Sequence, residues 1–98
     1  MPFNIIFSPE ALDHLQGVSA RNRRIVVAQI AVQLASEPSR PSRNRKRLRP
    51  NLLATWELRV GDQRVFYDVD SENLRVDVIA VGVKQRSRLL IGGEEFEL

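Results

Sequence analysis

Ninety-eight residues, 43% hydrophobic and 28% charged, describe one small globular domain with room for a single core. The absence of cysteine excludes disulfides and thiolate chemistry, one histidine leaves little for zinc, and no apolar run approaches the roughly 20 residues of a membrane span. The net charge of +3 is uneven: residues 1–39 balance three basic against three acidic side chains, while residues 40–98 set twelve against nine, three of those nine within the last five residues.

The first residues, MPFNIIFSPEALD, carry no basic leader and no long apolar run, so the expectation is a cytoplasmic chain without a signal peptide. Phe3 to Phe7 reads as a short strand. Ser8-Pro9-Glu10 opens a helix: a hydroxyl at the N-cap, proline at the first helical position, an acid in the first turn. Ala11, Leu12, Leu15 and Val18 continue it at helical spacing, and His14 on this helix reads as a surface residue. Gly17 frays the helix and Ser19 caps a second one over about residues 20–35. On that helix Ile25, Ala28, Val32 and Ala35 are the expected core stripe, widened by Val27, Ile30, Ala31 and Leu34, with Arg21, Arg23 and Arg24 clustered at its start.

Pro38, Pro41 and Pro50 then bar helix, so residues 37–53 read as a loop, ending in at most a short strand. Arg40, Arg43, Arg45, Lys46, Arg47 and Arg49 put six positive charges into ten of its residues with no acid among them. Gly61-Asp62 is a two-residue turn between alternating runs, which pairs Val60 with Gln63, Arg59 with Arg64, Leu58 with Val65, Glu57 with Phe66 and Trp56 with Tyr67. A four-residue loop at Asp70-Ser71-Glu72-Asn73 pairs Val69 with Leu74, Asp68 with Arg75, Tyr67 with Val76 and Val65 with Val78. One face then holds Trp56, Leu58, Val65, Tyr67, Val69, Leu74, Val76 and Val78 as core. The other holds Glu57, Arg59, Arg64, Phe66, Asp68, Arg75 and Asp77.

Arg59 opposite Arg64 is the anomaly, because like charges directly across a strand pair cost up to about 1 kcal/mol. Either the diagonal carboxylates of Glu57 and Asp68 neutralise the pair, or the face is built to meet a polyanion. Positive charge concentrated on and beside a sheet points to the second, with RNA as the polyanion.

FSPEALDHL, KRLR at 46–49, WELRVGDQRVFYDVD at 56–70 and VDVIAVGVKQRS at 76–87 together resemble the RelE/ParE superfamily of bacterial toxins from toxin–antitoxin modules. The resemblance covers nearly the whole chain, and LRVGDQRVFY is its most specific piece. It implies an α+β domain in which an N-terminal strand and a two-helix hairpin pack on a twisted antiparallel sheet. This domain is expected over residues 1–91, with an acidic tail at 92–98. RelE-like members are ribosome-dependent mRNA endoribonucleases, ParE-like members poison gyrase, and both are neutralised by a cognate antitoxin protein. The chemistry implied is metal-free and cofactor-free, with ribosome and mRNA as partners and no membrane.

By the same resemblance, Arg64 matches the family's sheet arginine and is the candidate for the scissile phosphate, whose geometry suits a planar guanidinium. Lys84 falls where a second basic residue follows the last strand, and Glu57 is either the base or a strand-face partner of Arg59. Arg43, Arg45, Lys46, Arg47, Arg49, Arg59 and Arg86 are the expected RNA-binding residues. Thr55 and Glu57 stand where RelE has lysines, Leu90 stands where RelE has a tyrosine, and the tail has no histidine. The expected function is therefore a RelE-like endoribonuclease toxin. The alternatives are a relative that binds RNA or antitoxin without cutting, and a ParE-like gyrase inhibitor. Gly92-Gly93 breaks the C-terminal segment, which is either a loose end or folds back onto the basic cleft.

Overall fold

The computed structural model describes residues 2–98. A short strand β1 (Asn4–Phe7) leads into helices α1 (Pro9–Gln16) and α2 (Ala20–Leu34). Then come β2 (Arg45–Arg47), β3 (Trp56–Val60), β4 (Gln63–Asp70), β5 (Arg75–Gln85), β6 (Arg88–Ile91) and β7 (Glu94–Phe96). The sheet runs β2-β3-β4-β5-β6-β7, antiparallel throughout, while β1 joins β5 in parallel. The α+β architecture expected from the sequence is therefore present. Among the described residues no helix is long and apolar enough to cross a membrane.

Both helix caps form as read. The Ser8 hydroxyl accepts the Ala11 N–H at 3.0 Å and the Ser19 hydroxyl accepts that of Asn22 at 3.2 Å. The buried stripe of α2 differs from the expected one. Val26, Ile30 and Leu34 face the sheet, whereas Ile25, Val27 and Val32 are exposed. Both stripes recur at helical spacing, so periodicity alone could not choose between them.

The β3–β4 hairpin has every pairing expected around Gly61-Asp62. In the β4–β5 hairpin the four-residue loop lies one residue later, at residues 71–74. Asp70 stays in the strand opposite Arg75, and its carboxylate accepts the Asn73 N–H and side-chain amide; these bonds hold its pKa below the usual carboxylate range. Leu74 closes the loop at φ 49°. Val69 therefore faces Val76 and Tyr67 faces Val78, two residues beyond the expected partners, which leaves each side chain on its expected face. A bulge at Ile79 then changes the register, so that Phe66 faces Ala80 and Val65 faces Val81.

That register builds two cores. Trp56, Leu58, Val65, Tyr67, Val76, Val78 and Val81 pack with Ala11, Leu15, Val26, Ile30 and Leu34 under the helices. Trp56 and Tyr67, opposite in register, stack with ring centroids 6.2 Å apart. The Tyr67 hydroxyl donates to the Pro38 carbonyl at 2.8 Å, which pins the proline-rich loop to the core. Phe66 lies on the outer face, as expected, but is fully buried there, with Ala54, Ala80, Leu89 and Ile91 around it.

His14 also departs from its surface reading. It is half-buried, and its Nδ1 accepts the Val81 N–H at 3.2 Å. Ser8 Oγ donates to the Ile79 carbonyl at 2.8 Å. Two side chains of the α1 segment thus satisfy backbone groups that the bulge would otherwise orphan.

Ser8→Ala should cost about 1–3 kcal/mol, because it removes both the helix cap and the partner of the bulge carbonyl; urea denaturation measures it. Burial raises the Tyr67 pKa above its ordinary value of 10.0, so the neutral phenol is favoured in the folded state. Its contribution is complete below the unfolded-state pKa and should shrink as pH rises beyond about 10. Denaturation midpoints between pH 8 and 11 should fall for the wild type and fall less for Tyr67→Phe.

Candidate nucleic-acid interface

The outer face of the sheet is divided. Its apolar part is the Phe66 cluster, and beside it Lys46, Glu57, Arg59, Arg64, Lys84 and Arg88 line a cleft of about 720 Å³. That volume lies inside the roughly 300–1,000 Å³ range of ligand clefts. Strand alternation explains the composition. Lys46 of β2 is paired with Glu57 of β3, Glu57 lies diagonal to Arg64 of β4, and Arg59 lies opposite Arg64.

Arg64 is the most enclosed of these cations, with its side chain 15% exposed. Nη1 donates to the carbonyls of Gly61 at 2.7 Å and Gln63 at 2.9 Å, and Nε lies 3.4 Å from Glu57 Oε1. Arg59 Nε lies 3.3 Å from the same oxygen. Glu57 therefore offsets both arginines. Asp68 does not share in this: it accepts the Thr55 N–H at 2.7 Å and faces Asp77 in the ladder. The carboxylate partner explains how the arginine pair is tolerated, and the turn carbonyls fix one guanidinium edge of Arg64 in place.

Lys84 lies at the end of β5, and its backbone N–H donates to the Asp62 carbonyl at 2.8 Å. This bond sets the tips of the β3–β4 and β5–β6 hairpins side by side. The second tip is Arg86-Ser87, both in the left-handed region at φ 49° and 69°. A two-residue hairpin turn of this hand usually carries Asn-Gly, so Arg86 and Ser87 each bear a conformational cost of about 1 kcal/mol or more. Lys84, Arg86 and Arg88 project from this tip around a second, shallower concavity with Asp62 and Leu90.

The expected RNA-binding residues separate into groups. Lys46 and Arg59 join Arg64 and Lys84 in the cleft, and Arg86 is next to it. Arg43 and Arg49 are exposed in the loop. Arg45 is turned to internal work: its guanidinium donates to the Gln33 carbonyl at 2.8 Å, the Gln33 amide oxygen at 3.1 Å and the Arg40 carbonyl at 2.9 Å. Arg47 lies over the Trp56 ring at 6.0 Å. Sequence reading missed Arg88, because strand β6 was not anticipated. Gly92-Gly93 was nonetheless a hairpin signal of the same kind as Gly61-Asp62, with φ of 61° and 83° in the structure.

The acidic segment folds back. β7 pairs antiparallel with β6, Glu95 lies opposite Leu90, and Glu95 Oε2 takes an ion pair from Arg88 Nη2 at 3.1 Å. Glu95, Phe96, Glu97 and Leu98 form one wall of the cleft, which sets three carboxylates, with Glu57, against five cations. The cleft is rich in cations, with part of their charge already countered from within the chain. Gly82 lets β6, on which this wall is paired, lie close against β5, since a Cβ there would lie 2.7 Å from the Leu90 carbonyl oxygen and 2.8 Å from Ile91 Cγ1.

A family model described as the ParE toxin of the type II toxin–antitoxin system, parDE, matches residues 5–88. The crystal structure of the RelBE2 toxin–antitoxin complex from Mycobacterium tuberculosis contains a similar chain at 29% identity and a TM-score of 0.68, with 83% of this chain and 96% of that one covered. No curated protein matches.

Replacing Glu95 and Glu97 together by glutamine should raise affinity for a single-stranded oligonucleotide about fivefold at low salt, the scale of about 1 kcal/mol from exposed charges. Fluorescence anisotropy over a salt series checks this; the gain should fade as salt rises.

Proposed function

The chain belongs to the ParE toxin family of type II toxin–antitoxin systems, and on that premise we propose that its cleft binds the phosphodiester backbone of mRNA on the ribosome and cuts it. The observation that carries this reading is Arg64, enclosed on the sheet face with its guanidinium oriented by two turn carbonyls and flanked by Arg59, Lys84 and Arg88. An oriented planar fork among more exposed cations suits a phosphate whose charge grows during reaction.

The chemistry needs no cofactor. The 2′-oxygen of one nucleotide attacks the adjacent phosphorus, the bond to the departing 5′-oxygen breaks, and a 2′,3′-cyclic phosphate remains. Arg64 takes the non-bridging oxygens, Glu57 accepts the 2′-hydroxyl proton, and Lys84 gives a proton to the leaving 5′-oxygen. Glu57 serves as base by releasing Arg59 and Arg64 toward the arriving phosphate, which exchanges one anionic partner for another. Lys46, Arg59, Arg86 and Arg88 hold the flanking backbone by charge alone, and Arg43 and Arg49 extend that surface along the loop. A cognate antitoxin is the partner that silences the protein, and the cytoplasm is where both ribosome and antitoxin are met.

A second reading is favoured by the residues available for proton transfer. Tyr67, the chain's one tyrosine, is buried under the helices, and the one histidine, His14, is engaged by Val81. Glu57 is held by two arginines. A ParE-like inhibitor of gyrase needs no acid–base set and fits the same cleft.

A cell-free translation assay on a defined mRNA, with cuts mapped by primer extension, separates the two. The endonuclease reading expects ribosome-dependent cuts that fall about 10²–10³-fold in Arg64→Ala. Intact mRNA together with lost supercoiling activity of added gyrase would replace it with the second reading.

A further inference from the structure

A second concavity adjoins the basic cleft. Across the ring of Phe96 lies a groove of about 680 Å³, floored by Leu53, Ile79, Ala80 and Ile91. Phe96 lines both concavities and is the one aromatic side chain on the cleft. It stands on β7 opposite Leu89 of the Phe66 cluster, and it is 37% exposed. A flat apolar ring beside a group of cations suits single-stranded nucleic acid, with the backbone on the charges and a base against the ring.

The rim of this groove is unlike that of the cleft. No lysine or arginine lines it, whereas Glu10 and Glu94 do, and Glu94 stands opposite Ile91 in the β6–β7 ladder. His14 completes the rim. Because its Nδ1 accepts the Val81 N–H, the proton of the neutral ring sits on Nε2, which is left as a donor. Gly92 keeps that donor uncovered: it has φ 61° and no side chain, and a Cβ there would lie 3.4 Å from Nε2. The groove thus combines an apolar floor, an aromatic wall, two carboxylate acceptors and an N–H donor. Such a rim repels a phosphate and accepts the edge of a base. Guanine matches it best, since its N1–H and N2 amino group give hydrogens to a carboxylate while O6 and N7 accept from a donor. Uracil brings a single N–H and no amino group.

We infer that the groove beyond Phe96 takes a guanine base of the same strand whose phosphates occupy the basic cleft, with the base stacked on Phe96 and read by Glu10, Glu94 and His14. This rests on the reading of the cleft as a site for RNA. It adds a preference among bases, which cations that meet only the backbone do not supply.

The test measures fluorescence anisotropy of labelled RNA heptamers with the full chain: an all-uridine strand, the same strand with guanosine in the middle, and the same strand with an abasic residue there. The guanosine strand should bind the wild type about fivefold or more tighter than the uridine strand, and the abasic strand should bind weakest. Phe96→Ala should bind the guanosine strand about tenfold more weakly with the salt slope unchanged, and Phe96→Trp should retain binding. The double variant Glu10→Gln/Glu94→Gln should bring the guanosine and uridine strands to within about twofold of each other. Arg64→Ala should weaken all strands alike and lower the salt slope. Glu10, Glu94 and Phe96 are exposed, and thermal melts confirm that their variants fold. Binding that needs Arg64 but treats guanosine and uridine alike, or keeps its preference in Phe96→Ala and in the double variant, would overturn the groove and leave the cleft. Binding indifferent to Arg64→Ala, or none at all, would overturn the RNA reading of the cleft and the groove with it.

Discussion

The bulge at Ile79 is the constraint on which the rest of the molecule depends. One extra residue in β5 moves the pairing from Tyr67–Val78 to Phe66–Ala80. Before it, Val76 and Val78 face the helices; after it Val81 does so, while Ala80 turns to the second core. The bulge also divides one edge of β5, with β1 along residues 75–78 and β6 along residues 82–85. Ser8 and His14 bind the Ile79 carbonyl and the Val81 N–H across that division, so the first helix is fastened where the sheet changes direction. The cleft exists because β6 and β7 can curl from this point toward β2 and β3.

Within the cleft the electrostatics are balanced more closely than the net charge suggests. Glu57 shares one oxygen between two guanidiniums, and Glu95 and Glu97 stand on the far wall. Such internal pairing fixes the position of the cations and offsets part of their charge. The apolar Phe66 cluster alongside gives this charged half a rigid base.

The parts of the fold legible in the sequence were those governed by local chemistry. Ser8 and Ser19 read as caps and are caps; Gly61-Asp62 set a hairpin register correct at all five pairs. Where tertiary packing decides, local reading failed. Nothing in Leu74 announces a left-handed residue, so the second loop was placed one position early. The same holds for Arg86-Ser87, a turn without glycine, and with it β6 and Arg88 went unread. On α2 both sides are apolar, and choosing the buried one requires knowing the shape of the sheet beneath. The loop arginines looked equivalent as charges, yet Arg45 spends its donors on Gln33 and Arg40 while Lys46, one residue on, faces the cleft.

The parallel pairing of β1 with β5 has a consequence in time. Asn4 lies beside Arg75, and the Ser8–Ile79 bond joins residues 71 positions apart in a chain of 98. Contacts of such span form late and set a slow folding rate, because a long loop must close before any of them forms. During synthesis the amino-terminal strand waits, unpaired, until nearly the whole sheet has followed it. The cleft therefore matures only after most of the chain has been made. For a protein whose activity harms the cell that makes it, that delay separates synthesis from action, and it gives a partner already present the first opportunity to bind.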